Sequence, residues 1–283
     1  MRVAVTGGAR GIGLAVARAF RVAGAEVTVG DLDPAAAPAD LPARPLDVRS
    51  ADSFAAFLAD LGPLDVLVNN AGVTTTTSFL STPAALRDLQ IDVNLRGVVN
   101  GMAAALPAMV ARGHGHVVNI ASLAGRIPTP NAAIYSATKH AVVGLTETVR
   151  AELRGTGVRL TAVLPTFVGT DMTRGLALRG VPVTTPEAVA AACVRAVRRG
   201  GPAVVAVPRW LGAAPRLMVW TPQFVRDLLT RRSSEDAAAA GGAAGGVAGT
   251  AAENPERAGY AARVAAQALV RPDPGYPGSD PRG

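Results

Sequence analysis

The chain has 283 residues and a formal net charge of +7, and 49% of its residues are hydrophobic, which is enough to build a buried core. This composition excludes a wholly disordered protein, and no uninterrupted apolar run reaches the about 18 residues that a membrane-spanning helix needs. A lone cysteine, Cys193, excludes an internal disulfide, and a strand-like segment directly after Met1 argues against a signal peptide. These features predict a cytoplasmic protein.

Short β-branched segments alternate with segments of helical period from residue 3 to residue 207. Strands are expected at 3–5, 26–29, 66–68, 116–120, 159–163 and 203–207, and helices at 14–23, 83–109 and 132–154. Parallel strands joined by right-handed helical crossovers form a doubly wound sheet. The pattern therefore predicts a single α/β domain with a Rossmann-type parallel sheet.

A glycine-rich turn follows the first expected strand and leads directly into a helix. Its sequence is Thr6-Gly7-Gly8-Ala9-Arg10-Gly11-Ile12-Gly13, and glycines at such a turn let backbone N–H groups approach a pyrophosphate at the helix N-terminus. Asp31 closes the second strand about 20 residues further on, where a carboxylate accepts hydrogen bonds from an adenosine ribose. That carboxylate would repel the extra phosphate of NADP, so NAD is favoured; Arg10, a potential partner of that phosphate, keeps NADP as the alternative.

Tyr135 and Lys139 are four residues apart, so they share one face of an expected helix, and Ser122 follows the strand at 116–120. An ammonium beside a phenol stabilises the phenolate and lowers the tyrosine pKa, which suits a general acid/base. Lys139 is the only lysine among 28 basic residues, and arginine would serve this role poorly. The alternative explanation is a solvated helix face on which the pair has no chemical role.

Taken together, the motifs resemble those of the short-chain dehydrogenase/reductase family over about residues 1–210. The resemblance rests on the glycine turn, Asp47-Val48, Asn69-Asn70-Ala71-Gly72, Asn94, Ser122, Tyr135 and Lys139. It implies an NAD(P)-dependent oxidoreductase in which Tyr135 exchanges a proton with the substrate oxygen and Ser122 binds that oxygen. It also implies that Lys139 lowers the pKa of Tyr135 and binds the nicotinamide ribose, while Asn94 holds a water.

The resemblance further implies which residues contact the cofactor. They are Gly7, Arg10, Gly11, Ile12, Gly13, Asp31, Asp47, Val48, Asn70, Ala71, Gly72, Tyr135, Lys139, Pro165, Val168 and Thr170. Thr166 departs from the family pattern, because a glycine usually follows the proline at Pro165, and the threonine adds bulk near the reacting carbon. The resemblance also implies a homodimer or homotetramer that pairs through the helices at 83–109 and 132–154.

The substrate is expected to be a hydrophobic secondary alcohol or ketone. The stretch that forms the substrate lid in this family contains apolar side chains here, namely Phe167, Met172, Leu176, Leu178 and Val181. Arg174 and Arg179 offer a carboxylate-binding alternative. Two other functions stay open at this point: an NADPH-dependent ketoacyl or carbonyl reductase of biosynthesis, and a non-catalytic NAD(H)-binding regulator, against which the intact tetrad argues.

Eight arginines and a single acid lie between residues 195 and 232, together with Trp210 and Trp220. This segment is expected to cover the substrate cleft or an oligomer contact, with weak peripheral binding to anionic lipid as the alternative. The charge is not accompanied by a nucleic-acid recognition motif, so no nucleic-acid partner is expected. The three histidines lack acidic or thiol partners, so no metal site is expected either.

The C-terminal part of the chain differs from the rest in composition. Residues 1–232 are expected to form the dinucleotide-binding catalytic domain, including its substrate lid. Residues 233–249 are rich in alanine and glycine and predict a flexible linker, and residues 272–283 are rich in proline and glycine. With a short helix expected at 255–270, the whole of 233–283 is interpreted as a largely disordered linker and tail.

Overall fold

The computed structural model describes residues 1–170, 172, 183–212 and 258–270 of the chain. In this part of the protein the strands are β1 (Arg2–Thr6), β2 (Glu26–Asp31), β3 (Ala43–Pro45), β4 (Val66–Asn69), β5 (Gly115–Ile120), β6 (Val158–Pro165), β7 (Phe167–Val168), β8 (Val183–Thr184) and β9 (Val204–Val207). Seven of them form one parallel sheet in the order β3-β2-β1-β4-β5-β6-β9, and β7 pairs with β8.

Helices cover both faces of this sheet. They are α1 (Gly11–Val22), α2 (Ala51–Ala59), α3 (Ala84–Ile91), α4 (Gly97–Arg112), α5 (Ala133–Glu152), α6 (Pro186–Arg199) and α7 (Ala258–Leu269). On one face α1 and α6 bury a core that includes Phe20 and Cys193, and on the other face α2, α4 and α5 bury a core that includes Phe54 and Met109. Strands covered on both faces are expected to be continuously apolar, and all four residues of β4 are buried.

The strand order places the site. The chain starts in the middle of the sheet, and β1 has β2 on one side and β4 on the other. Since all these strands run parallel, the segments that follow β1, β4 and β5 leave the sheet at the same edge. In doubly wound sheets, ligands bind at this carboxyl edge where the strand order reverses.

The predicted fold class is confirmed, and some elements differ from the expectation, among them the unpredicted strands β3, β7 and β8. The edge strand β3 was not predicted, because its three residues include a proline and an arginine and offer no apolar run. The helix expected at 83–109 is instead two helices, α3 and α4, joined by a π-helical turn at Asp92–Arg96. Hydrophobic period does not distinguish a π turn from the α-helix that contains it.

The C-terminal helix α7 lies within the expected tail and packs against the domain. The helix packs against α3, its Val264 is buried in the same core as Phe54 and Met109, and its Tyr260 is hydrogen-bonded to the backbone of Thr74. Residues 213–257 and 271–283, which include the expected linker and the chain end, lie outside the described residues, so the division of the chain at residue 232 stays a prediction. In the described ranges, every helix is too short or too polar to cross a membrane.

Candidate active site

The turn between β1 and α1 lies against the segment that follows β4. Gly7 has a φ of +61°, and a Cβ on it would lie 2.9 Å from the Cα of Ala71. A Cβ on Gly13 would overlap the carbonyl oxygen of Gly7. Side chains are therefore excluded at both positions, and the turn presents bare backbone at the N-terminus of α1, as a pyrophosphate requires.

Thr6 and Asn70 hold these two segments together. The Thr6 hydroxyl oxygen accepts hydrogen bonds from the backbone N–H groups of Asn70 and Ala71, both at 3.0 Å. The Asn70 side chain donates to the carbonyl oxygens of Thr6 (2.9 Å) and Gly7 (3.0 Å). From the sequence, Thr6 is assigned only to the glycine turn; the signal for its larger role is a polar residue that directly follows the apolar run Val3-Ala4-Val5.

Asp31 lies at the end of β2, beside the same turn. One carboxylate oxygen accepts a hydrogen bond from the backbone N–H of Ala9 (3.1 Å), and the other accepts from the N–H of Asp33 (3.1 Å). Arg10, the residue that left NADP open, donates to the Asp33 carboxylate at 2.9 Å. This corner of the site therefore combines two carboxylates with one guanidinium that already has an anionic partner.

Asp47 and Val48 are fixed by neighbouring residues. The Asp47 carboxylate forms a bidentate ion pair with Arg49, in which Nη2 donates to one oxygen at 2.7 Å and Nε donates to the other at 3.0 Å. Val48 is buried against Gly97, and its carbonyl oxygen accepts from the Asn100 side chain. The carboxylate expected near the adenine is thus committed to Arg49, a partner that sequence reasoning missed.

Asn94 lies in the π-helical turn and is fully buried. Its side-chain oxygen accepts from the backbone N–H of Val73 (2.8 Å), and its nitrogen donates to the Val73 carbonyl (2.8 Å) and to the Thr138 hydroxyl (3.3 Å). The extra residue of the π turn aims the amide into the site. Asn94 thereby fixes the segment after β4, and the water expected beside it stays a prediction.

The ammonium group of Lys139 lies deep in the site. It donates a hydrogen bond to the carbonyl oxygen of Ile120 at 2.8 Å and lies 5.6 Å from the centre of the Tyr135 ring. A Cβ on Gly72 would lie 3.7 Å from this nitrogen and 3.2 Å from the Asn94 side-chain oxygen. Gly72 therefore keeps open the space between Asn94 and Lys139.

Burial governs the titration of Tyr135 and Lys139. Burial raises the pKa of Tyr135 above its ordinary value, and a hydrogen bond with Ser122 lowers it in part. Burial lowers the pKa of Lys139 to about 8. The lowering of the tyrosine pKa by Lys139 stays a prediction, and in the protein alone the Lys139 ammonium donates its hydrogen bond to Ile120.

The segment after β6 accommodates the unexpected Thr166. Its hydroxyl and its backbone N–H both donate to the carbonyl oxygen of Val207 in β9. Pro165 ends β6, and Val168 is buried in β7. Thr170 lies beside Gly11 of the glycine turn. The next residue of the turn, Ile12, packs against the core. The structure therefore brings this segment to the same edge as the turn.

Several residues of the expected lid and basic segment lie outside the described residues, namely Arg174, Leu176, Leu178, Arg179, Val181 and Trp220. Of the others, Phe167 is half-buried and Trp210 is exposed. In the described ranges, histidine, cysteine, aspartate and glutamate side chains do not form a group of three that could hold a metal ion. Cys193 is buried in the core, and this burial raises the pKa of its thiol to about 12. Such a thiol stays protonated and is a structural residue.

Comparison with known sequences agrees with this geometry. The model of the short chain dehydrogenase family matches residues 1–179. The chain is 36% identical over 207 residues to the oxidoreductase UcpA of Escherichia coli, covering 68% of this chain and 78% of that protein. It is also 33% identical over 215 residues to the 3-oxoacyl-(acyl-carrier-protein) reductase FabG of Chlamydia muridarum, covering 67% and 87% of the two chains.

Solved structures with the same fold contain either cofactor. A short chain dehydrogenase/reductase from Burkholderia phymatum in complex with NAD has a TM-score of 0.69 and 25% identity, covering 76% of this chain and 92% of that chain. A metagenomic short-chain oxidoreductase in complex with NADP has a TM-score of 0.64 and 31% identity, covering 73% and 96%.

The lowered pKa of Lys139 predicts a pH-dependent stability difference. The unfolded chain binds more protons than the folded chain between pH 8 and 10.5, so burial of the ammonium destabilises the protein below pH 8, and the penalty fades as pH rises through that window. Lys139→Met has no ammonium and carries no such penalty. We therefore expect the free energy of unfolding of the variant minus that of the wild type to fall by about 3 kcal/mol from pH 7 to pH 10.5. Urea denaturation across this range measures it. Arg154→Met, at an exposed cation, serves as control, and a difference that does not change with pH would contradict the prediction.

Proposed function

The chain belongs to the short-chain dehydrogenase/reductase family, and from that premise we propose that it transfers a hydride between NAD(H) and a hydrophobic secondary alcohol or ketone. The observation that carries this proposal is the meeting, at one sheet edge, of a bare glycine turn, a buried Lys139 and the neighbouring pair Tyr135 and Ser122. A dinucleotide and a proton carrier are the two components that such a reaction needs.

The residues present fit a nicotinamide dinucleotide. Any Cβ on Gly7 or Gly13 would collide with neighbouring backbone, so the space at the turn is kept for a group that backbone N–H donors bind. In the proposed site the backbone of the turn would hold the pyrophosphate, Asp31 the adenosine ribose and Lys139 the nicotinamide ribose. When bound, the dinucleotide supplies or accepts the hydride.

The protein contributes proton handling and orientation. Because burial raises the pKa of Tyr135, its phenol is protonated near neutral pH and is ready to donate to a substrate oxygen. The neighbouring Ser122 hydroxyl partly offsets the raised pKa of Tyr135. In the reverse direction Tyr135 accepts the proton, and the cationic form of Lys139 stabilises the phenolate.

Asp31 supports NAD as the cofactor. Its carboxylate is anchored to the glycine turn through the Ala9 N–H, where it would meet the 2′-hydroxyl of an adenosine ribose and repel a 2′-phosphate. Arg10 is paired with Asp33, which reduces its availability to a phosphate. NADPH-dependent reduction of a ketoacyl or carbonyl compound is the second candidate, favoured by the similarity to FabG and to an NADP complex.

The assembly and location of the protein are also proposals. Helix α4 exposes Val99 and Val110 on one face, which supports pairing of two copies through the long helices into a homodimer or homotetramer. The exposed Trp210 among the arginines of the basic segment supports weak contact with anionic lipid. We retain the cytoplasm as the proposed location.

Replacing the proposed proton carrier separates catalysis from binding. In Tyr135→Phe the ring stays and the ionisable hydroxyl is lost, so we expect turnover to fall about 10²- to 10⁴-fold. The Kd for NADH should stay within about twofold, because backbone and ribose contacts carry most of its binding. Steady-state oxidation of a secondary-alcohol panel with NAD measures turnover, and retained activity would contradict the assigned role.

Replacing Asp31 tests the cofactor preference. In Asp31→Ala the repulsion of a 2′-phosphate is removed, so we expect the Kd for NADPH to fall about tenfold, or about 1.4 kcal/mol of binding free energy. The Kd for NADH should rise, because the partner of the ribose hydroxyl is lost. Fluorescence titrations with NADH and NADPH measure both constants. Asp40→Ala removes an exposed carboxylate elsewhere and is the matched control. Tighter binding of NADPH than NADH by the wild type would favour the second candidate instead.

A further inference from the structure

The C-terminal helix α7 contacts two segments of the proposed dinucleotide site at once. At its first turn, the Tyr260 hydroxyl accepts a hydrogen bond from the backbone N–H of Thr74 (2.8 Å) and donates to the Thr74 carbonyl oxygen (3.1 Å). At its last turn, the carbonyl oxygens of Gln267 (3.4 Å) and Val270 (2.8 Å) accept from Nη1 of Arg49.

Tyr260 is one of three side chains that hold three consecutive residues after β4. Asn94 pairs with both backbone polar groups of Val73, Tyr260 pairs with both backbone polar groups of Thr74, and Gln90 donates to the Thr75 hydroxyl at 3.1 Å. These residues continue directly from Asn70-Ala71-Gly72, which lie against the glycine turn and Lys139. Of these three side chains, Gln90 lies in α3, Asn94 lies in the π turn, and Tyr260 lies in α7.

Arg49 connects the other end of α7 to Asp47. The Arg49 side chain is only 4% exposed, and it uses Nε and Nη2 for the Asp47 carboxylate and Nη1 for the end of α7. A buried guanidinium that loses acceptors incurs a large desolvation penalty, and a cation at a helix C-terminus is favourable. Release of α7 would therefore disturb Arg49 and, through it, the position of Asp47.

The helix is packed on the domain by its apolar face. Val264 is 5% exposed and belongs to the same core as Phe54 and Leu89, and Ala268 packs beside it. The opposite face, with Ala262 and Ala265, is exposed. Contact with the two loops thus depends on a specific docked orientation of the helix.

We propose that α7 is a positioning element of the dinucleotide site, in which Tyr260 and Arg49 fix the segments 73–75 and 47–49 for the bound cofactor. Helix α7 lies beyond residues 1–179, the part of the chain that matches the family model. The inference rests on the proposed function. Because coupling is reciprocal, bound NADH and docked α7 strengthen each other.

Tyr260→Phe in the full chain tests the two hydrogen bonds between the Tyr260 hydroxyl and the Thr74 backbone. The variant keeps the ring that packs on the core and removes only the hydroxyl. We expect the Kd for NADH, measured by cofactor fluorescence, to rise at least about fivefold. Amide hydrogen exchange should become faster in a peptide that covers residues 70–75 and stay unchanged elsewhere. A general loss of stability would instead make exchange faster over the whole chain.

A pair of charge substitutions tests docking of the helix as a whole. Val264→Asp places a carboxylate in the core and is expected to weaken NADH binding more than Tyr260→Phe does, whereas Ala262→Asp places the same charge on the exposed face and should leave the Kd unchanged. In the wild type, saturating NADH should slow amide exchange across residues 258–270.

Two outcomes would overturn the inference, and they are distinguishable. If the wild type binds NADH and both Tyr260→Phe and Val264→Asp bind it equally well, the positioning role is wrong while the proposed function stands. If the wild type binds neither NADH nor NADPH, the proposed function fails and the inference fails with it.

Discussion

The hydrogen bonds between the ends of β1 and β4 are the constraint on which the site depends. The side chains of Thr6 and Asn70 make four hydrogen bonds across the point where the strand order reverses: Thr6 accepts from the N–H groups of Asn70 and Ala71, and Asn70 donates to the carbonyls of Thr6 and Gly7. These hydrogen bonds hold the glycine turn close to the segment after β4, so that no side chain fits at Gly7 or Gly13. The shared concave surface at the carboxyl edge is its consequence.

Around that surface the protein keeps polar groups where burial is costly. Lys139 is almost fully buried, its pKa is lowered to about 8, and its ammonium donates a hydrogen bond to the carbonyl oxygen of Ile120. Burial also raises the pKa of Tyr135, which lies within reach of the same ammonium. Such unfavourable placement of titratable groups is typical of functional sites, where chemistry and stability compete.

Much of this arrangement follows from sequence alone, because local patterns encode it. The glycine turn, the strands with apolar runs, and the helical spacing of Tyr135 and Lys139 are all local signals. The strand β3, the π turn that orients Asn94, and the pairing of Arg10 with Asp33 depend on neighbours that local patterns do not reveal. The contact between Tyr260 and Thr74 joins residues 186 positions apart, and the composition of the tail gave no sign of it.

In the proposed function, the loops after β1, β4 and β5, together with α5, form one dinucleotide and proton-transfer site. A crystal structure of the full chain grown with saturating NADH tests it most directly. We expect the dinucleotide along the carboxyl edge, with its adenosine ribose at Asp31, its pyrophosphate at the glycine turn and its nicotinamide beside Tyr135. NADH bound at any other surface, or no NADH at this edge at saturating concentration, would show that these loops do not form the dinucleotide site.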